Sequence, residues 1–332
     1  MPTQPIRRHF SRRFRPLLLA ALWCVLPSAG GLVAGTAEAP APETGPTQKI
    51  LNDLTPLNSF TVEGSYVGAS SFRIRRFDGD GPLNTQQSYG RQDEVQAHVE
   101  YAHRFHLVDR VYLKLGGTYE RFDFGGTNAP LPTSLQSISG RIAVEYVVRR
   151  RPAAFITTSP GVYFSDFDDI STGNFDAPTA LGTIVPVNKK FFLLLGVRAS
   201  LLARIPVFPI AGAVWLINDR MRLEAIPPEP RLIVEATSKL NVFAGAELLG
   251  NAYKRDETRY TQRGEKRFSG GVIDYSEVRG GGGFSYAFTK LVVLDVTGGW
   301  DFGRNFNYYR SAGKRFITEG APYAKVKFTA DF

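Results

Sequence analysis

Charged side chains recur at every second position along many apolar segments of this chain, and they are the residues best able to do chemistry. Arg222 and Glu224 show this spacing, as do Lys325 and Lys327 near the carboxyl terminus. Successive side chains of a β-strand point to opposite faces, so the spacing places both charges of each pair on one face. Facing rows of such charges either pair with one another or select small charged solutes.

The alternation predicts a set of charged residues on the polar faces of their strands, which would face the interior if the strands close into a barrel. They are Glu63, Glu100, Arg141, Glu145, Arg198, Arg220, Arg222, Glu224, Arg231, Glu235, Glu247, Arg279, Asp295, Lys325 and Lys327. Both signs occur on neighbouring segments, which leaves two interpretations: a self-neutralising network that fills the interior, or a water-filled pore that sorts permeants by charge. Arg220, Arg222 and Arg231 are the best candidates for an anion-facing row. Glu224 and Glu235 lie close enough in sequence to cancel much of its charge.

A hydrolytic enzyme needs a nucleophile with a base, commonly histidine, or paired carboxylates that activate water. Beyond the amino-terminal leader the chain contains only His98, His103 and His106, and its single cysteine, Cys24, lies in that leader. All three histidines fall on one predicted strand and the turn after it, and His103 is on the apolar face. We therefore expect no catalytic residue, no cofactor and no metal site.

The elements that would position the charges are short segments of alternating apolar and polar residues. They cover 58–68, 92–105, 111–123, 135–148, 153–166, 179–187, 190–203, 207–217, 220–226, 231–238, 241–255, 271–288, 291–304 and 321–332. Near the end of the chain, for example, Leu294 and Val296 flank Asp295. This pattern predicts about fourteen strands, and twelve is the alternative because the segments between 203 and 240 are short.

Short and long connections alternate between these segments. The short ones lie at 106–110, 149–151, 188–189, 218–219, 239–240 and 289–290, and the long ones lie near 69–91, 124–134, 167–178, 256–270 and 305–320. Transmembrane barrels show this alternation, with the short turns facing the periplasm. An even strand count also returns both termini to that side. The pattern therefore favours an all-β fold, a transmembrane antiparallel up-and-down β-barrel, over a soluble secreted β-sandwich.

Residues 1–39 have the features of a secretory signal peptide. Arginines precede the apolar run Leu17–Leu26, and small residues lead to Ala37-Glu38-Ala39, where we expect cleavage. Residues 40–56 are rich in proline and small residues and predict a disordered periplasmic linker, so the barrel would span 57–332. Removing five arginines and one glutamate lowers the formal net charge from +9 to about +5. Because no recognition motif accompanies this modest charge, we expect no nucleic-acid partner.

The carboxyl-terminal segment closes on an aromatic residue. Val326, Phe328 and Phe332 share one face of this segment, and Lys325 and Lys327 share the other. The segment resembles the closing strand of bacterial outer-membrane β-barrels. That resemblance implies that it pairs with the first strand, and that Phe328 and Phe332 form an assembly signal read by the barrel-assembly machinery.

Three further stretches carry a resemblance to a known family. They are Ser134-Leu135-Gln136 followed by Gly140, then 160–166, and then 206–212 with Trp215 and Asn218. Residues 90–332 resemble an uncharacterised family of bacterial outer-membrane β-barrel proteins, a domain of unknown function. The resemblance implies a location in the bacterial outer membrane after export through the inner membrane, in contact with outer-membrane lipid and lipopolysaccharide. It implies no substrate.

Together these features favour a passive channel or facilitator for small solutes, which would diffuse through the charged polar interior. The alternative is a closed structural or surface-interaction barrel without a pore. The run Gly280-Gly281-Gly282-Gly283 leads into further strand-like sequence rather than a helix. We therefore expect it to allow curvature or the close approach of a loop inside the barrel, and not to bind phosphate.

Overall fold

The computed structural model describes residues 57–76, 89–127, 129–148, 151–165, 167, 170–255, 270–309 and 314–332. The predicted signal peptide and linker lie outside these ranges. Within them, no helix is long and apolar enough to cross a membrane. Most of the described residues lie in β-strands.

Within the described ranges, seventeen strands form a single sheet. In chain order they are β1 (Asn58–Arg76), β2 (Arg91–Val108), β3 (Val111–Phe124), β4 (Ser134–Val148), β5 (Arg151–Thr158), β6 (Gly161–Phe164), β7 (Phe175–Asp176), β8 (Thr179–Pro186), β9 (Phe191–Ala199), β10 (Val207–Leu216), β11 (Met221–Ala225), β12 (Arg231–Glu235), β13 (Leu240–Lys254), β14 (Val272–Ala287), β15 (Val292–Tyr308), β16 (Lys314–Thr318) and β17 (Ala321–Asp331). Tight turns stabilised by polar side chains join many of them. Between β10 and β11, the Asn218 side chain accepts a hydrogen bond from the Arg220 N–H at 2.9 Å.

The strands close into one antiparallel barrel with fourteen positions around the ring. Three positions are each filled by two strands in succession: β5 with β6, β7 with β8, and β16 with β17. Closure occurs where β1 pairs with β17, from Ser59 opposite Asp331 to Val67 opposite Tyr323. The prediction of an all-β barrel with about fourteen strands is confirmed. The twelve-strand alternative is wrong, because the short segments between 203 and 240 contain the separate strands β10, β11 and β12.

The two faces of the barrel differ in polarity. Large apolar side chains cover the outside, among them Tyr66, Val197, Trp300, Phe302 and Val326. Phe302 is 65% exposed, whereas Arg279 on the inner face is fully buried. A soluble sandwich would show the reverse, with its apolar face in the core. An apolar exterior of this kind is the surface that a transmembrane barrel presents to lipid.

The barrel is taller on one side than on the other. β1, β2, β14 and β15 contain 16 to 19 residues each, whereas β11 and β12 contain five. At about 3.3 Å per residue and a tilt of about 40°, five residues rise about 13 Å, roughly half of the ~25 Å apolar band of such barrels. The hairpin of β11 and β12 therefore ends at mid-height. Its connection, residues 226–230, stays in the wall, because the carbonyl groups of Pro228 and Pro230 accept hydrogen bonds from β13 at 2.8 and 3.0 Å.

The end of the barrel that carries Asn58 and Phe332 is called the lower end, and the opposite end is called the upper end. Toward the upper end the ring narrows, because Lys254 at the top of β13 pairs directly with Phe164 of β6. Buried aromatic rings fill this narrow part. The centroid of Phe306 lies 5.1 Å from that of Phe124 and 5.0 Å from that of Tyr275, distances typical of favourable ring contacts. An aromatic layer thus occupies the upper lumen.

A β-bulge in β15 changes which side chains face inward. Gly303 has a φ of 127°, a conformation that favours glycine, and its N–H donates to Oδ1 of Asp301 at 2.9 Å. The pairing with β14 shifts register here, between Glu277 and Arg279. Asp301 faces inward below the bulge and Arg304 faces inward above it, and both are fully buried. The bulge therefore brings Arg304 into the lumen, where strict alternation places it outside.

Candidate functional site

The lower part of the lumen is lined by ion pairs that remain partly exposed. Nη2 of Arg104 on β2 lies 3.0 Å from Oε2 of Glu145 on β4. Arg222 on β11 lies 2.6 Å from Glu224 and 3.3 Å from Glu235 on β12. The side chain of Glu224 is 32% exposed. Water therefore reaches the carboxylates of these pairs, although Arg104 is buried, and the lower lumen is a solvated chamber with paired charges.

At mid-height, the ammonium group of Lys325 on β17 holds three carboxylates. Its Nζ lies 2.6 Å from Oε1 of Glu247 on β13, 2.9 Å from Oε1 of Glu229 and 3.7 Å from Oε2 of Glu63 on β1. Lys325 is only 2% exposed. A cation withdrawn from water this far depends on nearby carboxylates to replace its hydration. Lys325 and its three partners are called the Lys325 cluster below.

Glu229, in the connection of the short hairpin, is held by two cations at once. Its Oε1 bonds to Lys325, and its Oε2 accepts a hydrogen bond from Nη2 of Arg231 at 2.6 Å. Arg231 also lies 3.7 Å from Oδ2 of Asp295 on β15, and its guanidinium lies 4.5 Å from the centre of the Phe243 ring. Side chains at the tip of the hairpin therefore reach past β13 and β14 to β15 and β17.

Glycines leave room for these contacts. Gly245 of β13 and Gly281 of β14 line a small recess beside the Lys325 cluster, and they contribute no side chain to it. A Cβ added at Gly281 would collide with the backbone oxygen of Gly298 on the neighbouring strand. The 280–283 glycine run thus forms a thin part of the wall, over which the Glu229–Lys325 pair passes.

A second ionic cluster, centred on Arg279 of β14, adjoins the first. Nη2 of Arg279 lies 2.9 Å from Oε1 of Glu94, and Nε lies 2.5 Å from Oε1 of Glu277. Nη1 donates to Oγ of Ser65 at 2.9 Å and to Oε1 of Gln96 at 3.1 Å. Arg279, Glu94 and Glu277 are at most 1% exposed. This Arg279 cluster therefore forms a dry layer across the lumen at about mid-height.

Arg304 and Tyr275 join the Arg279 cluster to the aromatic layer above it. Nη2 of Arg304 donates to Oγ of Ser70 at 3.0 Å, and its Nη1 lies 3.7 Å from Oε2 of Glu94. The Tyr275 hydroxyl donates to the same Glu94 oxygen at 2.7 Å, while its ring packs in the aromatic layer. In the part of the chain that the structure describes, the lumen is thus solvated in its lower half and filled by these two layers above.

Most of the predicted inward residues take part in these ion pairs: Glu63, Glu100, Arg141, Glu145, Arg222, Glu224, Arg231, Glu235, Glu247, Arg279, Asp295 and Lys325. Arg198 instead donates to Oδ1 of Asn251 at 3.1 Å, and Lys327 is half-buried. Arg220 lies in the exposed turn before β11 rather than among the inward side chains. The expected anion-facing row is therefore interrupted, since Arg222 and Arg231 are each bound by two carboxylates.

Several charged residues of the two clusters and the chamber were absent from the predicted set: Glu94, Arg104, Glu229, Glu277 and Arg304. Glu94 and Arg104 share the parity of Glu100 on β2, so the rule that selects Glu100 also selects them. Glu229 lies outside every predicted strand, and nothing in its sequence neighbourhood indicates Lys325 as its partner. For Arg304 the available signal is Gly303, because glycine within a strand often marks a bulge.

The terminal residue Phe332 lies at the seam where the barrel closes. Its N–H donates to the carbonyl of Asn58 at 3.0 Å, and its own carbonyl accepts from the Asn58 backbone at 2.7 Å. The ring is 59% exposed, and Phe328 lies half-buried on the same face. This geometry places both rings on the outer side of the seam strand. The role of Phe328 and Phe332 as an assembly signal stays a prediction.

The up-and-down strand order, the closed ring, the apolar outside and the ionic inside define the class: the chain has the fold of an outer-membrane β-barrel. No family model and no curated protein matches the chain, so the resemblance to a family of unknown function stays a prediction.

Solved structures with a similar fold are outer-membrane channels. An outer-membrane channel from Pseudomonas putida F1 has 8% sequence identity and a TM-score of 0.42, covering 90% of this chain and all of that one. The Pseudomonas putida toluene transporter TodX has 10% identity and a TM-score of 0.38, covering 83% and 89%. A FadL homologue of Pseudomonas aeruginosa has 9% identity and a TM-score of 0.35, covering 83% and 90%. At these values the fold rests on the strand pairing of this chain itself.

Proposed function

We propose that this protein is an outer-membrane channel for small solutes and that the structure describes its closed state. The apolar exterior supports a position in the outer membrane, and the predicted signal peptide supports export through the inner membrane. Insertion by the barrel-assembly machinery and contact with lipopolysaccharide belong to the same proposal. The solvated lower chamber supports a solute path, because partly exposed charges such as Glu224 line it.

The observation that carries the proposal is the way the short hairpin meets β15 and β17, beyond the two strands next to it. Glu229 and Arg231 reach Lys325 and Asp295 through side chains, over a glycine-lined part of the wall. A barrier built from such pairs can rearrange without breaking the strand hydrogen bonds that hold the ring closed. Part of the barrier at mid-height therefore consists of side chains that are able to move.

A closed structural barrel is the second candidate, and the Arg279 cluster favours it. Arg279, Glu94 and Glu277 are almost completely shielded from water, and the aromatic layer lies directly beside them. A barrel that never opens would keep both layers under all conditions. Its function would then lie in its outer surface or its loops.

Single-channel recording in a planar bilayer separates the two candidates. For a channel, we expect discrete openings above a lipid-only control in potassium chloride solutions. The Glu229→Gln variant is expected to open more often, because it removes one charge that ties the hairpin to Lys325. Glu145→Gln is the matched control, since it makes the same change to a carboxylate of the lower chamber outside the hairpin and is expected to leave opening unchanged.

Heat-modifiable gel mobility shows that each sample is folded before recording. If folded wild-type protein and folded Glu229→Gln both show no conductance above the lipid control at several salt concentrations, the channel proposal is refuted and the structural barrel is favoured.

A further inference from the structure

The carboxylate of Glu229 occupies a position that suits a free carboxylate ion. Its Oε1 lies 2.9 Å from Nζ of Lys325, and its Oε2 lies 2.6 Å from Nη2 of Arg231. Each oxygen thus has its own cationic donor. Charge-assisted hydrogen bonds from two cations to one carboxylate are among the stronger polar interactions in proteins. The site therefore has the donors of an anion-binding site, with a side chain of the protein in the place of the anion.

A small recess of about 10 Å³, room for about one water molecule, adjoins Lys325 and Arg231 and carries further binding groups. Its walls include the rings of Phe243 and Tyr323 and the bare backbone of Gly281. Thr297 also lines it and is only 8% exposed, and its Oγ1 has no hydrogen-bond partner among the described residues. A buried hydroxyl without a partner costs free energy, which a ligand or a water molecule that bonds to it recovers. The recess thus offers apolar walls, a free hydroxyl group and two cations.

Glu229 is also the member of the Lys325 cluster best able to leave. Its side chain is 23% exposed, whereas that of Lys325 is 2% exposed. It comes from the connection of two five-residue strands, while Lys325 lies in the long seam between β1 and β17. A displaced Glu229 carboxylate would therefore regain water on the side of the lower chamber.

We propose that a small carboxylate displaces the Glu229 carboxylate from Lys325 and Arg231 and takes its place beside this recess. The carboxylate of the ligand takes the two cations, and the rest of the ligand occupies the space that the Glu229 side chain leaves, open to the lower chamber. One carboxylate replaces another, so the charge balance around Lys325 is unchanged by the exchange. Loss of the Glu229 contacts frees its side chain, while the backbone of the hairpin tip stays bonded to β13.

A metal ion is a poorer fit to the same cluster. Oxygens of Glu63, Glu229 and Glu247 lie within 4.8 Å of one another, which is close enough to surround a cation. However, the ammonium group of Lys325 already bonds to two of these carboxylates and lies near the third. The group that a ligand can replace in this cluster is thus the Glu229 carboxylate, so the ligand that fits is an anion and not a metal ion.

The assignment of small carboxylates as permeants rests on the proposed channel function, whereas the binding site itself is tested without it. Isothermal titration calorimetry on folded protein in detergent would use benzoate as the probe and benzamide as its uncharged analogue. Wild-type protein is expected to bind benzoate and not benzamide. Glu229→Gln is expected to bind benzoate about tenfold more tightly or better, because the internal competitor that keeps the site occupied is gone.

Two further variants make the test specific. Lys325→Gln is expected to weaken benzoate binding about tenfold or more, because one of the two cations is lost. Arg231→Gln tests the same loss at a residue whose side chain is 15% exposed, in case Lys325→Gln does not fold. Glu145→Gln is the matched control, because Glu145 pairs with Arg104 in the lower chamber away from the site, and it is expected to keep the wild-type affinity.

Equal affinity of wild type and Glu229→Gln would overturn the site, as would full affinity in a folded variant that lacks one of the cations. Because calorimetry requires no pore, the two proposals fail separately. A barrel that conducts but binds no benzoate refutes the site alone. A barrel that binds benzoate as described but never conducts supports the site and refutes the channel.

Discussion

The Arg279 cluster allows a quantitative prediction about the stability of the barrel interior. Arg279→Met removes a guanidinium that bonds to Glu94 and Glu277, and the methionine side chain fills much of the same volume. Both carboxylates are then left with little exposure and with each other as neighbours. Loss of one partner from a buried ion pair typically costs about 3–5 kcal/mol. Arg304 lies 3.7 Å from Glu94 and retains part of the compensation, which favours the lower end of that range.

The assay is urea unfolding of the barrel in detergent micelles, followed by heat-modifiable gel mobility. With a urea dependence of about 2 kcal/mol per molar, a loss of about 3 kcal/mol moves the midpoint down by about 1.5 M. The triple variant Arg279→Met, Glu94→Gln, Glu277→Gln removes all three charges together. Its midpoint is expected near that of the wild type, because replacing a complete buried ion pair is often neutral or stabilising.

The order of the three midpoints tests whether the Arg279 cluster is dry. A dry cluster requires the midpoint of the single variant to lie clearly below the midpoints of both the wild type and the triple variant. A single variant within about 1 kcal/mol of the wild type would show that water enters the layer, and the cluster would then not be the dry barrier described here.

Two other predictions concern the seam and the glycine-lined wall. Deleting Phe332 removes its ring and its two backbone hydrogen bonds to Asn58, whereas Phe332→Ala removes the ring alone. If the ring is the assembly signal, the amount of folded, heat-modifiable barrel in outer-membrane fractions falls for both variants. Normal assembly of Phe332→Ala would contradict that role. Gly281→Ala is expected to lower the urea midpoint by the equivalent of about 1–3 kcal/mol, because its Cβ meets backbone that cannot easily yield. Gly126→Ala, where a Cβ meets nothing within 4 Å, should leave the midpoint unchanged, and equal midpoints for both alanine variants would refute the tight-wall interpretation.

Alternation of apolar and polar residues identified the barrel because lipid imposes it on every strand at the same depth. The same reason explains where that prediction stops. β1 was expected to end at residue 68 but continues to Arg76, and the expected loop at 305–320 contains the top of β15 and all of β16. These parts extend beyond the ~25 Å apolar band, so their outward side chains need not be apolar and the period fades. Register shifts after Val67 and near Gly303 blur the period further.

The pairing of charges across the lumen was beyond the reach of the sequence. Alternation shows which face a side chain takes, but not its height in the barrel or the shape of the ring. Glu229 meets Lys325 because a hairpin is short and because glycine replaces larger side chains on the wall between them. Each condition involves a different part of the chain, and only folding brings them together.

The composition of the two layers indicates which one serves more than closure. Where the upper lumen is sealed, the rings of Phe124, Tyr275 and Phe306 pack against one another. The neighbouring layer buries Arg279 and Lys325 with carboxylates, although apolar side chains of similar size would seal the lumen with equal or better stability. Stability alone therefore does not account for an ionic layer at this height. Matched charges that can exchange partners do account for it. In the Lys325 cluster one of those partners is Glu229, which belongs to a short hairpin and is partly exposed to water.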